Sequence, residues 1–148
     1  GPAFCYTGQK CQTYILTDGE GDINQYVFAT SSRNATLIAK EKDCHMEVRA
    51  LAVGGGGRGP TGYGGGAGSG YVNFTSLVLH AGNVLELAVG AQGESSSVQM
   101  DGQMVLVASP GQNYDRNNGG DGYSGGGGYD GGVHGVYRFL DGKKTSRL

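Results

Sequence analysis

No excess of charge of either sign marks this chain: 11 Lys and Arg stand against 13 Asp and Glu, a formal net charge of −2. Nothing therefore draws it electrostatically to nucleic acid or to an anionic membrane surface, and no nucleic-acid partner is expected. No stretch approaches the roughly 20 consecutive apolar residues of a membrane-spanning helix. No window of about eleven residues carries a 3.6-residue apolar stripe, so helix is expected to be minimal. A signal peptide is missing too, and the opening Gly1-Pro2 resembles a protease scar, so trimming of the natural N-terminus is expected. Cysteine is scarce and odd in number, at Cys5, Cys11 and Cys44. In a secreted chain an odd count means one pair and a remainder. Cys5 and Cys11 bracket the short YTGQK loop and form the expected local disulfide; Cys44 can equally take either partner from a neighbouring strand, and spacing does not choose.

Glycine is what the chain has in excess, 31 of 148 residues, against about 7% in an average protein. It is concentrated in two tracts, GGGGRGPTGYGGGAGSG (54–70) and GGDGYSGGGGYDGG (119–132). Flexible loop is the default reading, because glycine loses more chain entropy on ordering than any other residue. The competing reading is an extended, left-handed helix of the polyproline-II type. Such a helix makes no internal hydrogen bonds, but without Cβ atoms several can lie side by side and bond to one another. A lone tract could not satisfy its backbone in this way, whereas two tracts flanked by sheet could. Tyr63, Tyr71, Tyr123 and Tyr129 recur in and beside the tracts, where a pure linker would favour serine.

Around the tracts the residues read as strands. QTYILT (12–17), INQYVFAT (23–30) and ATLIAK (35–40) are short, rich in β-branched and aromatic residues, and bounded by turn chemistry such as DGEGD. CHMEVRALAV (44–53) sets Met46, Val48 and Ala50 against Glu47 and Arg49, then runs apolar towards the first tract. GYVNFTSLVLHAGNVLELAVG (70–90) reads as two strands around His80-Ala81-Gly82-Asn83. SSVQMDGQMVLVAS (96–109) reads as two more around Asp101-Gly102, a two-residue hairpin signal, and GVYRFL (135–140) closes an edge. Short strands with turns every eight to twelve residues imply a single all-β domain over residues 1–148, a sandwich or jelly roll.

Catalytic motifs fail on context. Gly122-Tyr123-Ser124-Gly125-Gly126 matches G-x-S-x-G in letters, but that elbow needs an apolar strand before the serine and a helix after it. His45, His80 and His134 lie in no recognisable triad setting. The first tract follows a strand, as a phosphate loop would, yet no G-K-[ST] appears and no helix follows. An enzyme is therefore not expected. DGEGDI (18–23) starts like a calcium loop but has Ile23 where the turn glycine belongs. Residues 125–130 begin like a G-G-x-G-x-D calcium repeat, in one copy only. What survives is an oxygen-rich run, Asn113, Asp115, Asn117, Asn118, Asp121 and Asp130, suited to a hard cation or to sugar hydroxyls. No cofactor is required, and calcium is the one cation this run leaves room for. Sequons at Asn34 and Asn73 add two candidate glycosylation sites and lean towards secretion.

VRALAVGGGGRG (48–59) followed by GSGYVNFTSLVLHAGNVLELAVGAQGE (68–94) has a familiar order of features. An apolar strand runs into glycines; a GSGYV strand, a turn, VLELAVG and AQGE follow. This resembles the glycine-rich, TNF-like module in the extracellular part of the anaplastic lymphoma kinase and leukocyte tyrosine kinase receptors. It is also similar to secreted glycine-rich proteins of invertebrates and, more loosely, to the glycine-rich tips of phage tail adhesins. The likeness is best over residues 46–94. It implies a β-sandwich with packed polyglycine-II-like tracts, used for binding outside the cell. The receptors' kinase, membrane span and EGF-like module have no counterpart here, so their cytokine ligands are not carried over.

Two roles follow as expectations. The first is a secreted, non-enzymatic structural or adhesive module working through protein contacts and self-association. The second is a calcium-assisted, lectin-like binder in which QNYDRNNGGDGY (112–123) forms a rim. There Tyr114 or Tyr123 stacks on a sugar face while Asp115, Asn117, Asn118 and Asp121 exchange hydrogen bonds with its hydroxyls.

Overall fold

Residues 8–17, 20–22, 25–28, 32–138 and 144–147 are described by the structure, a computed structural model. Over these residues the chain forms strands, turns and extended segments, with no helix. The strands are β1 (Gln9–Lys10), β2 (Tyr14–Leu16), β3 (Glu20–Asp22), β4 (Gln25–Val27), β5 (Arg33–Ala39) and β6 (Cys44–Val53). They continue as β7 (Val72–His80), β8 (Val84–Ala88), β9 (Ser96–Met100), β10 (Gln103–Ala108), β11 (Val136–Arg138) and β12 (Lys144–Arg147). A five-stranded antiparallel sheet in the order β10-β9-β8-β5-β2 faces a three-stranded sheet in the order β1-β6-β7. The pairs β3–β4 and β11–β12 stand as two-stranded sheets. The all-β sandwich expected from turn spacing is present. Strand β3 lies where the turn DGEGD was expected, and β1 and β12 carry no strong strand signal.

Period-two alternation explains which side of each strand is inside. Ala52 of β6 and Leu79 of β7 point into the core with Ala35 and Leu37 of β5, Leu85 of β8, Val98 of β9 and Leu106 of β10. Met46, Val48 and Ala50 line the same face of β6, half-buried, while Glu47 and Arg49 point out. The apolar end of β6 keeps this alternation, so Leu51 is 65% exposed and lies opposite the equally outward Phe74. Both expected turns form: Asp101 and Gly102, at φ 49° and 86°, close the β9–β10 hairpin, whereas Gly82, at φ 92°, lies in the β7–β8 turn that carries the chain from one sheet to the other.

The disulfide joins Cys11 to Cys44, not Cys11 to Cys5, which corrects the local pairing expected from the sequence. The reason is tertiary. Strand β1 runs parallel to the start of β6, Gln9 opposite Cys44 and Lys10 opposite His45, and the Cys11 amide then donates to the His45 carbonyl at 2.9 Å. That pairing carries Cys11 to within 4.9 Å of Cys44, Cα to Cα, with both residues buried. Cys5 lies outside the described residues.

Beyond one end of the sandwich the glycine-rich segments run out from β6 and β10 and return to β7 and β11. Their amides bond between segments. Gly54 and Gly57 donate to Tyr71 and Gly68; Gly66 and Ser69 donate to Gly127 and Ser124; Gly111 and Tyr114 donate to Gly55 and Arg58. In each pair the two donors are three residues apart, whereas a β-ladder repeats every two. Three segments also bond mutually: Gly120 donates to Gly66, Gly66 to Gly127, and Gly126 back to Gly120. A strand in a sheet has neighbours only in its plane, so a closed triangle of this kind lies outside sheet geometry. Close approach is what demands glycine here. A Cβ on Gly57 would overlap the Gln112 carbonyl, one on Gly68 the Asp121 carbonyl, and one on Gly126 the Gly66 carbonyl.

Candidate binding surface at the distal turns

Three turns reverse the glycine-rich segments away from the sheets. The first spans 59–64 and carries Tyr63. In the second, Asp115 and Asn118 exchange backbone hydrogen bonds at 3.0 and 2.9 Å around Arg116, whose φ is 55°. The third is closed by the Gly132 amide on the Tyr129 carbonyl at 2.9 Å, with Asp130 and Gly131 at φ 46° and 83°. These turns meet. Gly65 donates to Arg116 and Tyr129 to Asn117 at 2.9 and 2.8 Å, and the rings of Tyr63 and Tyr129 stack with centroids 5.7 Å apart. Tyr63 is 88% exposed and Tyr129 41%, with Arg116, Asn117 and Asp130 exposed beside them.

The six residues expected to form a sugar-binding rim are divided by this geometry. Asp115 and Asn117 lie exposed on the second turn, and half-buried Tyr114 precedes it, its amide bonded to Arg58 at 3.0 Å. Asn118 and Asp121 are turned against the last segment: Asn118 Oδ1 accepts the Val133 amide at 3.1 Å and Asp121 Oδ1 the Val136 amide at 2.7 Å. Gly119 and Gly122 return the bonds to the Val133 and Val136 carbonyls. The three-residue step puts 118 and 121 on one side of their segment, so each acts as a clip on the neighbouring backbone. Tyr123 lies at the opposite, sheet-proximal end, next to Ser124, whose amide donates to Ser69 Oγ at 2.8 Å. Asn117 bonds to Tyr129 at the distal turns, whereas Tyr123 adjoins Ser124 beside Ser69, near the start of β7. The run is therefore not one rim. Tyr63, Arg116 and Tyr129, which the rim left out, join Asp115 and Asn117 instead; the recurrence of tyrosine beside turn glycines was the signal for them.

Other candidates take structural or separate places. Ser124 sits in a glycine-rich segment with no helix after it. Of the calcium-like stretches, Glu20–Asp22 is strand β3, and residues 18, 19 and 23 lie outside the described residues. Among the described residues no group of three or more His, Cys, Asp or Glu side chains is placed to hold a metal ion. His45 and His80 face each other across β6 and β7 with ring centroids 6.3 Å apart, near the disulfide. Asn34 is exposed on β5 opposite Glu86. Asn73 is half-buried, and its Nδ2, the atom a glycan would occupy, donates to the Val107 carbonyl at 2.9 Å. A cavity of about 530 Å³ opens between the sheets, lined largely by apolar side chains such as Tyr14, Phe28, Leu37, Met46 and Leu79.

No helix among the described residues is long and apolar enough to cross a membrane. Comparison of the chain with protein families, with curated proteins and with solved structures finds no match in any of the three.

Proposed function

We propose that this chain is a secreted, non-enzymatic extracellular module with a structural or adhesive role, binding protein partners, itself among them, through its distal turns. The observation that carries this reading is the convergence of three turns on one exposed surface around the stacked Tyr63 and Tyr129. Aromatic side chains with a polar border are the usual anchors of binding surfaces. The Cys11–Cys44 disulfide supports residence in an oxidising compartment. The sandwich is read as a TNF-like jelly roll, in line with the resemblance over residues 46–94. Its glycine-rich segments are read as polyglycine-II-like helices. The three-residue hydrogen-bond step supports this, since a polyproline-II helix has three residues per turn.

A lectin-like role is the second reading, and one observation favours it. Tyr63 and Tyr129 offer aromatic faces beside the Asn117 amide and the Asp115 and Asp130 carboxylates, a combination suited to a sugar ring bound with the aid of calcium.

One experiment separates the readings. Beads coated with the chain are expected to cluster in suspension, and a Tyr63→Ala, Tyr129→Ala chain of unchanged melting temperature is expected not to. A glycan array is run in parallel with calcium and with chelator. Clustering that survives the double substitution removes the distal turns from the adhesive role. A defined sugar preference lost in Asn117→Ala transfers the surface to the lectin reading.

A further inference from the structure

We propose that Tyr63 and Tyr129 form a site of oxidative cross-linking, at which a peroxidase-type oxidant joins them into an intramolecular dityrosine that staples the first distal turn to the third. The two phenols come from separate turns yet stack with centroids 5.7 Å apart and ring planes 28° from parallel. Rings at that separation lie within the range of aromatic contact. Both are open to solvent, Tyr63 at 88% and Tyr129 at 41% exposure, so an oxidant reaches them and Tyr63 has room to turn. Tyr71 is the contrast: it is buried at the base of the first tract.

The chemistry balances with hydrogen peroxide as the oxidant and a haem peroxidase as its activator. Each phenol gives up one electron and its hydroxyl proton, leaving a phenoxyl radical whose unpaired electron is shared with the carbons ortho to oxygen. The two radicals couple through one new bond between ortho carbons. Each ring becomes aromatic again when the hydrogen on its coupled carbon moves to the oxygen. The pair loses two hydrogens in all, and these reduce one peroxide to two waters. What the fold supplies is proximity: partners already in contact couple without a diffusional encounter, an advantage that reaches many orders of magnitude in effective concentration. The inference is independent of what the distal turns bind.

The test uses the full chain with a haem peroxidase and hydrogen peroxide. The expected result is dityrosine fluorescence in monomeric protein, a mass lower by two hydrogens, and a peptide containing Tyr63 linked to one containing Tyr129. The yield per chain is expected to stay constant on a roughly tenfold dilution of the protein, as for any intramolecular step. Tyr63→Phe and Tyr129→Phe keep an aromatic stack and the fold, and each is expected to abolish the product. Tyr123→Phe, at the other end of the segments, is expected to leave it unchanged. Product found only in covalent dimers, with a yield that falls on dilution, overturns the proposal. So does a monomeric product that persists in Tyr63→Phe.

Discussion

Asn83 Nδ2 donates to Asp101 Oδ2 at 2.6 Å, and this bond ties the β7–β8 turn, where the chain crosses between the sheets, to the turn of the β9–β10 hairpin. The other carboxylate oxygen of Asp101 accepts the Val84 amide at 2.9 Å, and Asn83 Oδ1 accepts the His80 amide at 2.7 Å. Asp101 also occupies a left-handed backbone conformation, φ 49°, that aspartate and asparagine tolerate better than most residues. Asp101→Ala removes two acceptors and strains the turn, and is expected to cost about 2–3 kcal/mol in urea unfolding. Asp101→Asn keeps the turn and one oxygen, and is expected to fall between the two proteins.

Neighbouring glycines in the second tract are expected to respond in opposite ways to the same substitution. At Gly126 a Cβ collides with the Gly66 carbonyl, a backbone atom that cannot rotate aside; at Gly127 the nearest atom is His134 Nδ1 at 3.9 Å. Gly126→Ala should destabilise by about 1–3 kcal/mol or more, as overpacking does. Gly127→Ala should stay within roughly 0.5 kcal/mol, as for an ordinary surface change. Equal thermal melts for the two variants would contradict the packed geometry.

Removing the Cys11–Cys44 bridge should be costly because the bond spans 33 residues. Loop-closure entropy for that length is worth about 3–4 kcal/mol. The paired change Cys11→Ser and Cys44→Ser is expected to lower denaturant stability by that order. Peptide mapping without reductant should recover residues 11 and 44 linked.

Acid should loosen the same corner. The Glu41 carboxylate is held below the ordinary glutamate range, first by its own backbone amide; desolvation opposes this as the next-largest effect, and the Thr13 and Gln12 amides and the Lys40 charge add to the lowering. Glu41 Oε2 lies 3.3 Å from the Gln12 nitrogen and 3.5 Å from that of Thr13. A lowered folded pKa means the stabilisation is fully present above the unfolded value and is lost as pH falls through the folded one. Glu41→Gln is therefore expected to lower the melting temperature slightly near neutrality and to have no effect once acid has protonated the wild-type carboxyl.

Of the twelve strands among the described residues, eight fall within the stretches that alternation and turn chemistry mark out and β5 begins two residues before its own, because those signals are local. Strand β1 has no such signal: Gln9 and Lys10 are strand only because the start of β6 offers them an edge. The disulfide misled for the same reason. Cys5 and Cys11 are close in sequence, but parallel pairing of β1 with β6 delivers Cys44 to Cys11. The oxygen-rich run from Asn113 to Asp121 is visible as composition; that Asn118 and Asp121 clip the Val133 and Val136 amides depends on a segment that lies beyond the next turn.

The sequence by itself determined the class of fold, the positions of the Asp101-Gly102 and Asn83 turns, and the two glycine-rich tracts. These follow from side-chain period, φ preference and the absence of Cβ, all properties of a few consecutive residues. Tertiary structure alone decided which cysteines pair, which glycines within a tract tolerate a methyl group, and that Tyr63 meets Tyr129 rather than solvent alone. Each of those depends on a neighbour brought from elsewhere in the chain. In a stretch as uniform as GGGG, local chemistry is the same at every position and only the neighbour differs.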